Sequence, residues 1–247
     1  MGSKAHDILL RNLELHLQLT SEEVDAVTAL PIQLAQVERG DVIVREGDKP
    51  ETSFLLVTGF ACTFKVSGAG DRQIMAVHVP GDLPDLQSLH IETLDAGVSA
   101  ISACELGYIR HTDLRQLCLE HPRIAAILWR LTLIDAAIFK EWVLNVGRRS
   151  ATQRLAHLIC EIYVRLDRIG LVEQGICSIP LTQVELADCT GLSVVHLNRS
   201  MQELRANGLV RWHGKTVEVP NWQNLAKAGD FDATFLHLKP SANWLWT

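Results

Sequence analysis

From about Ile32 to Ile109 the apolar residues of this chain come in short β-branched runs, whereas from His121 they recur every three to four residues over roughly 25 positions. Strand side chains alternate with a period of two and helix side chains repeat every 3.6 residues, so the two stretches cannot be one kind of element. The first carries Val42–Val44, Phe54–Val57, Phe64–Val66, Ile74–Val77 and Val98–Ile101, punctuated by Gly40, Gly47, Gly59, Gly68, Gly70, Gly81 and Gly97. Short strands with turn residues at this cadence predict an antiparallel sandwich or jelly roll. Ahead of it, Leu9, Leu10, Leu13, Leu17, Val24 and Val27 have helical spacing, and Thr20 and Glu23 have the spacing of a capping box.

In the second stretch Pro122 suits a first helical turn, and no further proline or glycine occurs before Gly147. Ile127, Leu131, Ile134 and Ile138 form an apolar stripe, with Ile124, Leu128 and Trp142 beside it. A long helix next to a closed β-domain needs something to cover such a stripe. The expectation is a two-chain coiled coil with Ile127, Leu131, Ile134, Ile138 and Trp142 at a homodimer interface; the alternative is packing on the chain's own β-domain. Gly147–Ser150 reads as a hinge. A helix then follows to about Arg168, with Leu155, Leu158, Ile159, Ile162 and Leu166 on its inner face.

The chain has 247 residues, 47% of them hydrophobic and 21% charged, which suits a globular protein of one large or two compact domains. The start lacks a secretory hydrophobic stretch and no apolar run is long enough for a bilayer, so a cytoplasmic protein without a membrane partner is expected. Six cysteines (Cys62, Cys104, Cys118, Cys160, Cys177, Cys189) include no CxxC pair, which predicts buried reduced thiols and no metal site. Net charge is −6, unevenly placed: 12 Lys/Arg face 20 Asp/Glu in residues 1–147, but 9 face 7 in residues 148–220. Contact with a polyanion therefore belongs to the second part.

That part holds the most informative segment, Leu181 to Arg205. Thr182 and Glu185 start a helix, Ala187 is small enough for a close helix crossing, Gly191 permits a tight turn and Ser193 caps the next helix. These are the parts of a helix-turn-helix. On the second helix Leu197, Met201 and Leu204 share one face, while Val195, Arg199 and Gln202 lie about 200° away from it. Arg199 could grip guanine N7 and O6, and Val194 or Val195 a thymine methyl; His196 and Asn198 could reach a base edge. Arg148, Arg149, Arg154, Ser193, Gln202 and Lys215 are candidate phosphate contacts. Leu209–Trp212 and Thr216–Val219 flank His213-Gly214-Lys215 as the wing of a winged helix.

With the glycine-punctuated strands ending at Pro80-Gly81-Asp82, the long helix, the hinge and Leu192-Ser193-Val194-Val195-His196-Leu197-Asn198-Arg199, the chain resembles the CRP/FNR superfamily of bacterial transcription regulators over nearly its whole length. The resemblance implies an α+β protein: an N-terminal antiparallel β-roll (jelly roll), a long dimerisation helix and a C-terminal winged helix-turn-helix. The expected domains are 1–120 (helices and β-roll sensor), 121–147 (dimerisation helix), 148–220 (DNA-binding domain) and 221–247 (an aromatic extension). It also implies a dimer on a two-fold symmetric DNA site, control through the β-roll, and RNA polymerase among the partners to consider.

The sequence departs from the family pattern in two places. Val195 stands where members often have a glutamate on the recognition helix, which predicts a different base preference. Leu86 falls where cyclic-nucleotide binders place a ribose-binding glutamate, and no lysine or arginine occurs between Arg72 and Arg110. A buried phosphate without a cation is costly, so cyclic AMP is not expected in the usual place. The candidate effector pocket is Asp85, Leu86, Gln87, Ser88 and His90. The N-terminal segment has no cysteine, which argues against an iron–sulfur cluster. Haem through His78 or His90 is disfavoured, because a histidine in a β-roll is ordinarily a hydrogen-bonded structural residue; His157, Cys160 and Glu161 read as a chance grouping rather than a metal site. No P-loop, G-x-S-x-G or HExxH motif is present, so no enzyme is expected. The remaining alternative is a small-molecule sensor that uses its winged helix to dock another protein.

Overall fold

A computed structural model describes residues 3–238. They form two compact units. One comprises the residues up to Thr63, His78–Ala137 and those from Leu236 on; the other comprises Phe64–Val77 and Ile138–Phe235.

In chain order the elements of the first unit are α1 (Lys4–Glu14), α2 (Ser21–Thr28), β1 (Gln33–Val37), β2 (Val42–Val44), β3 (Thr52–Thr58), the start of β4 (Ala61–Val66), the last residue of β5 (Arg72–His78), β6 (Gly97–Ala100), β7 (Cys104–Arg110), α3 (His111–Glu120) and the start of α4 (Pro122–Arg148); the rest of β4 and β5 falls in the second unit. Strands β1-β7-β3 form one antiparallel sheet, and β2-β6-β4-β5 form a second. The capping box read at Thr20 is present: its hydroxyl accepts from the Glu23 N–H, and Glu23 Oε2 accepts from the Thr20 N–H at 2.8 Å. Strand β3 shows the alternation that a jelly roll requires. Leu55 and Val57 join a cluster with Leu9, Leu13, Ile109, Ile124 and Ile127, while Phe54 and Leu56 join another with Val98 and Leu106.

Strands β1 and β7 and helix α3 are not announced by the sequence. Central strand β7 carries Gly107, where a Cβ would come within 2.8 Å of Ile32 Cγ2, so the β-branched signature gives way to close packing. Helix α3 begins after Arg110, whose side chain makes no capping bond, so the usual start signal is missing.

The second unit holds the rest of α4, α5 (Ala151–Arg168), β8 (Ile176–Ser178), α6 (Gln183–Thr190), α7 (Val194–Ala206), β9 (Arg211–His213), β10 (Thr216–Glu218) and α8 (Trp222–Ala228). The expected break at Gly147–Ser150 exists as a joint: α4 runs to Arg148 and Ser150 caps α5 by accepting from the Gln153 N–H. The compact units nevertheless divide within α4, and the expected boundaries at 120, 147 and 220 do not mark them. The β4–β5 hairpin tip and the C-terminal extension through Phe235 both belong to the second unit.

Buried Glu161 explains much of this grouping. It lies on α5 with 0% exposure. Its Oε2 accepts from Trp142 Nε1 of α4 at 2.7 Å, and its Oε1 lies 3.4 Å from Arg165 Nη1, which also donates to the Val77 carbonyl of β5 at 2.7 Å. Burial raises the Glu161 pKa, and the Arg165 charge and the Trp142 hydrogen bond oppose that rise. One carboxylate thus ties α4, α5 and the hairpin together. The extension docks on α5 as its aromatic content suggests. Phe231 and Phe235 pack on the His157 ring with centroids 5.0 and 5.8 Å away, Trp222 stacks on Tyr163, and Gly229 approaches so closely that a Cβ would meet the His157 nitrogen at 2.7 Å. Trp244 and Trp246 lie outside the described residues. The six cysteines are free, and all but Cys118 are buried.

Asp85 in the first unit is 1% exposed and accepts from the Phe54 N–H at 2.9 Å, and burial pushes its pKa up to about 7. A carboxyl that titrates higher when folded favours the folded state while protonated, so this contribution is lost as pH rises from about 4 to about 7, at up to about 1.4 kcal/mol per pH unit. Urea unfolding at pH 5 and pH 7 should show that Asp85→Asn, which keeps the acceptor, flattens the decline in stability seen for the parent.

Candidate nucleic-acid interface

Helices α6 and α7 meet at a turn set by Gly191, whose φ of +62° lies in the left-handed region that side-chain-bearing residues avoid. Both N-termini are capped as the sequence predicts. Thr182 accepts from the Glu185 N–H and Glu185 reciprocates, and Ser193 accepts from the His196 N–H. Helix α7 is seated on α5. Leu197 and Leu204 are fully buried and Met201 is buried, while Thr152 of α5 donates to Glu203 Oε2 at 2.6 Å. Arg205 of α7 reaches the Trp212 carbonyl in β9 at 2.7 Å, joining the helix to the wing. The wing is the sheet β8-β10-β9, turning through Gly214 and exposed Lys215; β8 adds a third strand to the predicted hairpin.

With that rotation fixed, Val195 is 62% and Val194 37% exposed, and His196, Arg199 and Gln202 are exposed as well. Asn198 is half-buried on the flank. Ser193 is exposed at the helix start, its hydroxyl committed to the cap.

The phosphate-contact set divides. Arg148 and Lys215 are exposed. Arg149 is not: it is 8% exposed, pairs with Glu141 at 2.7 Å and donates to the Asp230 carbonyl at 3.1 Å. Arg154 donates to the carbonyls of Arg149 and Thr190, so it braces the end of α6 against the start of α5. Sequence position near the joint could not separate a solvent-facing arginine from one that satisfies the chain's own carbonyls.

The apolar stripe on α4 also needs correction. Ile127, Ile138 and Trp142 are buried within the chain, and Leu131 and Ile134 are half-buried, with Leu131 packed on the β-roll core. Ile127, Ile138 and Trp142 therefore serve this chain's own packing. A second stripe faces outward: Trp129, Leu133, Phe139, Val143 and Leu144 are between 45% and 59% exposed. Trp129, Ala136 and Val143 repeat every seven residues, and Thr132, Phe139 and Val146 occupy the accompanying positions of a heptad.

The effector residues are likewise separated. Leu86 lies in the apolar core with Leu83 and Leu89, Asp85 is turned onto Phe54, and Gln87 is half-buried; Ser88 and His90 share the lining of a surface cavity. His78 is buried with Nε2 2.7 Å from Thr63 Oγ1. His157, Cys160 and Glu161 do not converge, and among the described residues no group of three or more His, Cys, Asp or Glu side chains is arranged to hold a metal ion. Among the same residues no helix is long and apolar enough to cross a membrane.

A contact that the sequence reading did not find joins the hairpin to α6. Arg72 Nε of β5 lies 2.8 Å from Asp188 Oδ2, and Gln73 Nε2 donates to the Asp188 carbonyl at 2.6 Å. More than a hundred residues separate the partners, so no local pattern could disclose it.

Comparison with known proteins gives this geometry its context. Residues 34–121 match the cyclic nucleotide-binding domain family, and residues 153–228 match the Crp-like helix-turn-helix domain family. The chain is 26% identical over 216 residues to the transcriptional activator protein anr of Pseudomonas aeruginosa, covering 86% of this chain and 87% of that protein. It is 26% identical over 198 residues to the transcriptional activator protein FnrL of Cereibacter sphaeroides, covering 78% and 79%. Among solved structures it shares the fold of FixK2 from Bradyrhizobium japonicum, with a TM-score of 0.74 and 23% identity over 81% of this chain and 98% of that one. With a β-roll and a winged helix-turn-helix in this order, each matched by its own family model, the chain belongs to the CRP/FNR superfamily of transcription regulators.

Proposed function

We propose that the protein is a dimeric, sequence-specific DNA-binding regulator that reads bases with the exposed face of α7 and receives its signal through the β-roll. The observation that carries this reading is the two-sidedness of α7. Leu197, Met201 and Leu204 are anchored, and Val194, Val195, Arg199 and Gln202 are presented together. Arginine supplies the bidentate donors that match guanine, and valine methyls match thymine C5. Arg148 and Lys215 would hold phosphates at the start of α5 and on the wing. With Val195 in place of a carboxylate, cytosine amino groups lose their partner at that step.

A second copy of the chain is the proposed cover for the outward stripe on α4. Its heptad spacing, through Trp129, Ala136 and Val143, is the pattern by which two parallel helices interlock. Two copies related by a two-fold axis would meet half-sites about one DNA turn apart. The hairpin supplies a physical route for the signal: a change in the β-roll that moves β5 acts on α6 through the Arg72–Asp188 pair. The burial of Leu86 supports the reading that cyclic AMP is not held in the family's usual manner.

These statements have direct tests, using an operator selected from random DNA. In gel shifts, Arg199→Ala should weaken specific binding by about 1–3 kcal/mol and relax base choice, and parent binding should fall steeply with salt. Retained affinity and selectivity in that variant would remove α7 as the reading element, and salt-independent binding would favour a protein-docking role instead. In sedimentation experiments Leu133→Glu should yield monomers, while the parent sediments as a dimer. Arg72→Asp and Asp188→Arg should each weaken operator binding about three- to fivefold, in line with a half-exposed ion pair of about 1 kcal/mol, and the double swap should recover it.

A further inference from the structure

Between Arg72 and Arg110 the chain has no lysine or arginine, yet the fold brings three cations from outside that interval beside Ser88 and His90. A cavity of about 910 Å³ opens on the outer surface of the β-roll unit beside Ser88 and His90, and Lys49, Arg110 and Arg115 all line it. Lys49 comes from the loop before β3, Arg110 from the end of β7 and Arg115 from α3. The volume is that of a small-molecule site, and most of the residues that line it are polar.

The cavity has a built floor. His111 is 5% exposed. Its Nε2 lies within hydrogen-bond distance of the Ser88 hydroxyl at 2.9 Å and of Ser53 Oγ at 3.2 Å. Burial and the neighbouring Arg115 charge lower the His111 pKa. Around the floor the charges are unequally matched. Lys49 pairs with Glu92 at 2.6 Å, but both are largely exposed at the rim; Arg110 pairs with Asp113 at 2.8 Å. Arg115 donates to the Leu89 carbonyl at 2.9 Å, and among the described residues no carboxylate stands within ion-pair distance of it. Glu51 is the remaining acid of the lining. The first turn of α3, with no side-chain cap, adds its N–H dipoles on the same wall.

We propose that this outer cavity is an effector site for a small dianion of phosphate or dicarboxylate type, with Arg115 as its principal charge partner and Lys49 and His90 closing over it. Leu86, at the position where cyclic-nucleotide binders place a ribose-binding glutamate, does not line this cavity and lies in the apolar core. The inference deepens the reading of the β-roll as the sensing part and rests on it.

Calorimetry on the full-length protein without DNA tests the site independently of that reading. Inorganic phosphate and succinate are titrated separately at constant ionic strength, to several times a dissociation constant of about 1 mM, the range expected of a simple anion. At least one should give saturable heat. Arg115→Gln should weaken that binding tenfold or more, Arg115→Lys should recover part of it, and Ser88→Ala provides a second perturbation at the floor; each variant is checked for parental thermal unfolding. Absence of saturable heat with both anions, or heat unchanged in folded Arg115→Gln, would overturn the proposal. Gel shifts with and without the anion then report on signalling: saturable binding with no change in operator affinity refutes the effector role while leaving DNA recognition intact.

Discussion

Leu197 and Leu204, wholly buried on one face of α7, determine which way that helix faces. A helix that buries one side against a neighbour cannot turn without exposing leucines to water, at about 25 cal/mol for each Å² of apolar surface. Everything proposed for the opposite side depends on that rotation. Gly191, the caps at Thr182 and Ser193 and the Thr152–Glu203 hydrogen bond reinforce it, since each fixes where α7 begins and how it lies on α5. The polar and valine-bearing face is presented because the leucine face is held.

The same logic extends through α4 to the rest of the second unit. Trp142 and Ile138 turn inward, with Trp142 meeting the buried Glu161 carboxylate, while Trp129, Leu133 and Val143 turn outward. A helix apolar on two sides has two surfaces to cover, and its own chain covers one. Glu161 adds direction to the packing, because a buried carboxylate holds its place only where donors meet it, here from Trp142 and Arg165. Arg165 passes that constraint on to the hairpin through the Val77 carbonyl, and Arg72 and Gln73 pass it to α6. The β4–β5 hairpin and the helix-turn-helix pair thus share one polar framework.

Within the β-roll, the segment after Asp82 contributes to the apolar core. Leu86 packs with Leu83 and Leu89, and Asp85 holds Phe54. Beside it Ser88 and His111 lie 2.9 Å apart in the lining of the cavity that Arg115 shares.

The order of amino acids by itself determined the elements whose signals are local. The β3 alternation, the capping boxes at Thr20 and Thr182, the turn at Gly191 and the division of α7 into two faces all depend on residues within a few positions of one another. These suffice for the fold class and for the face of α7 proposed to meet DNA. Tertiary structure decided whatever depends on partners distant in sequence. It assigned the Ile127–Trp142 stripe to the chain's own packing and exposed the opposite one, and it turned Arg149 and Arg154 onto carbonyls while leaving Arg148 free to face solvent. It also joined Arg72 to Asp188 and brought Lys49, Arg110 and Arg115 around Ser88. Periodicity says that a helix has an apolar side, but not which neighbour will cover it. A charge in a sequence shows that a partner is needed, but only the folded chain shows whether that partner is its own backbone or something outside it.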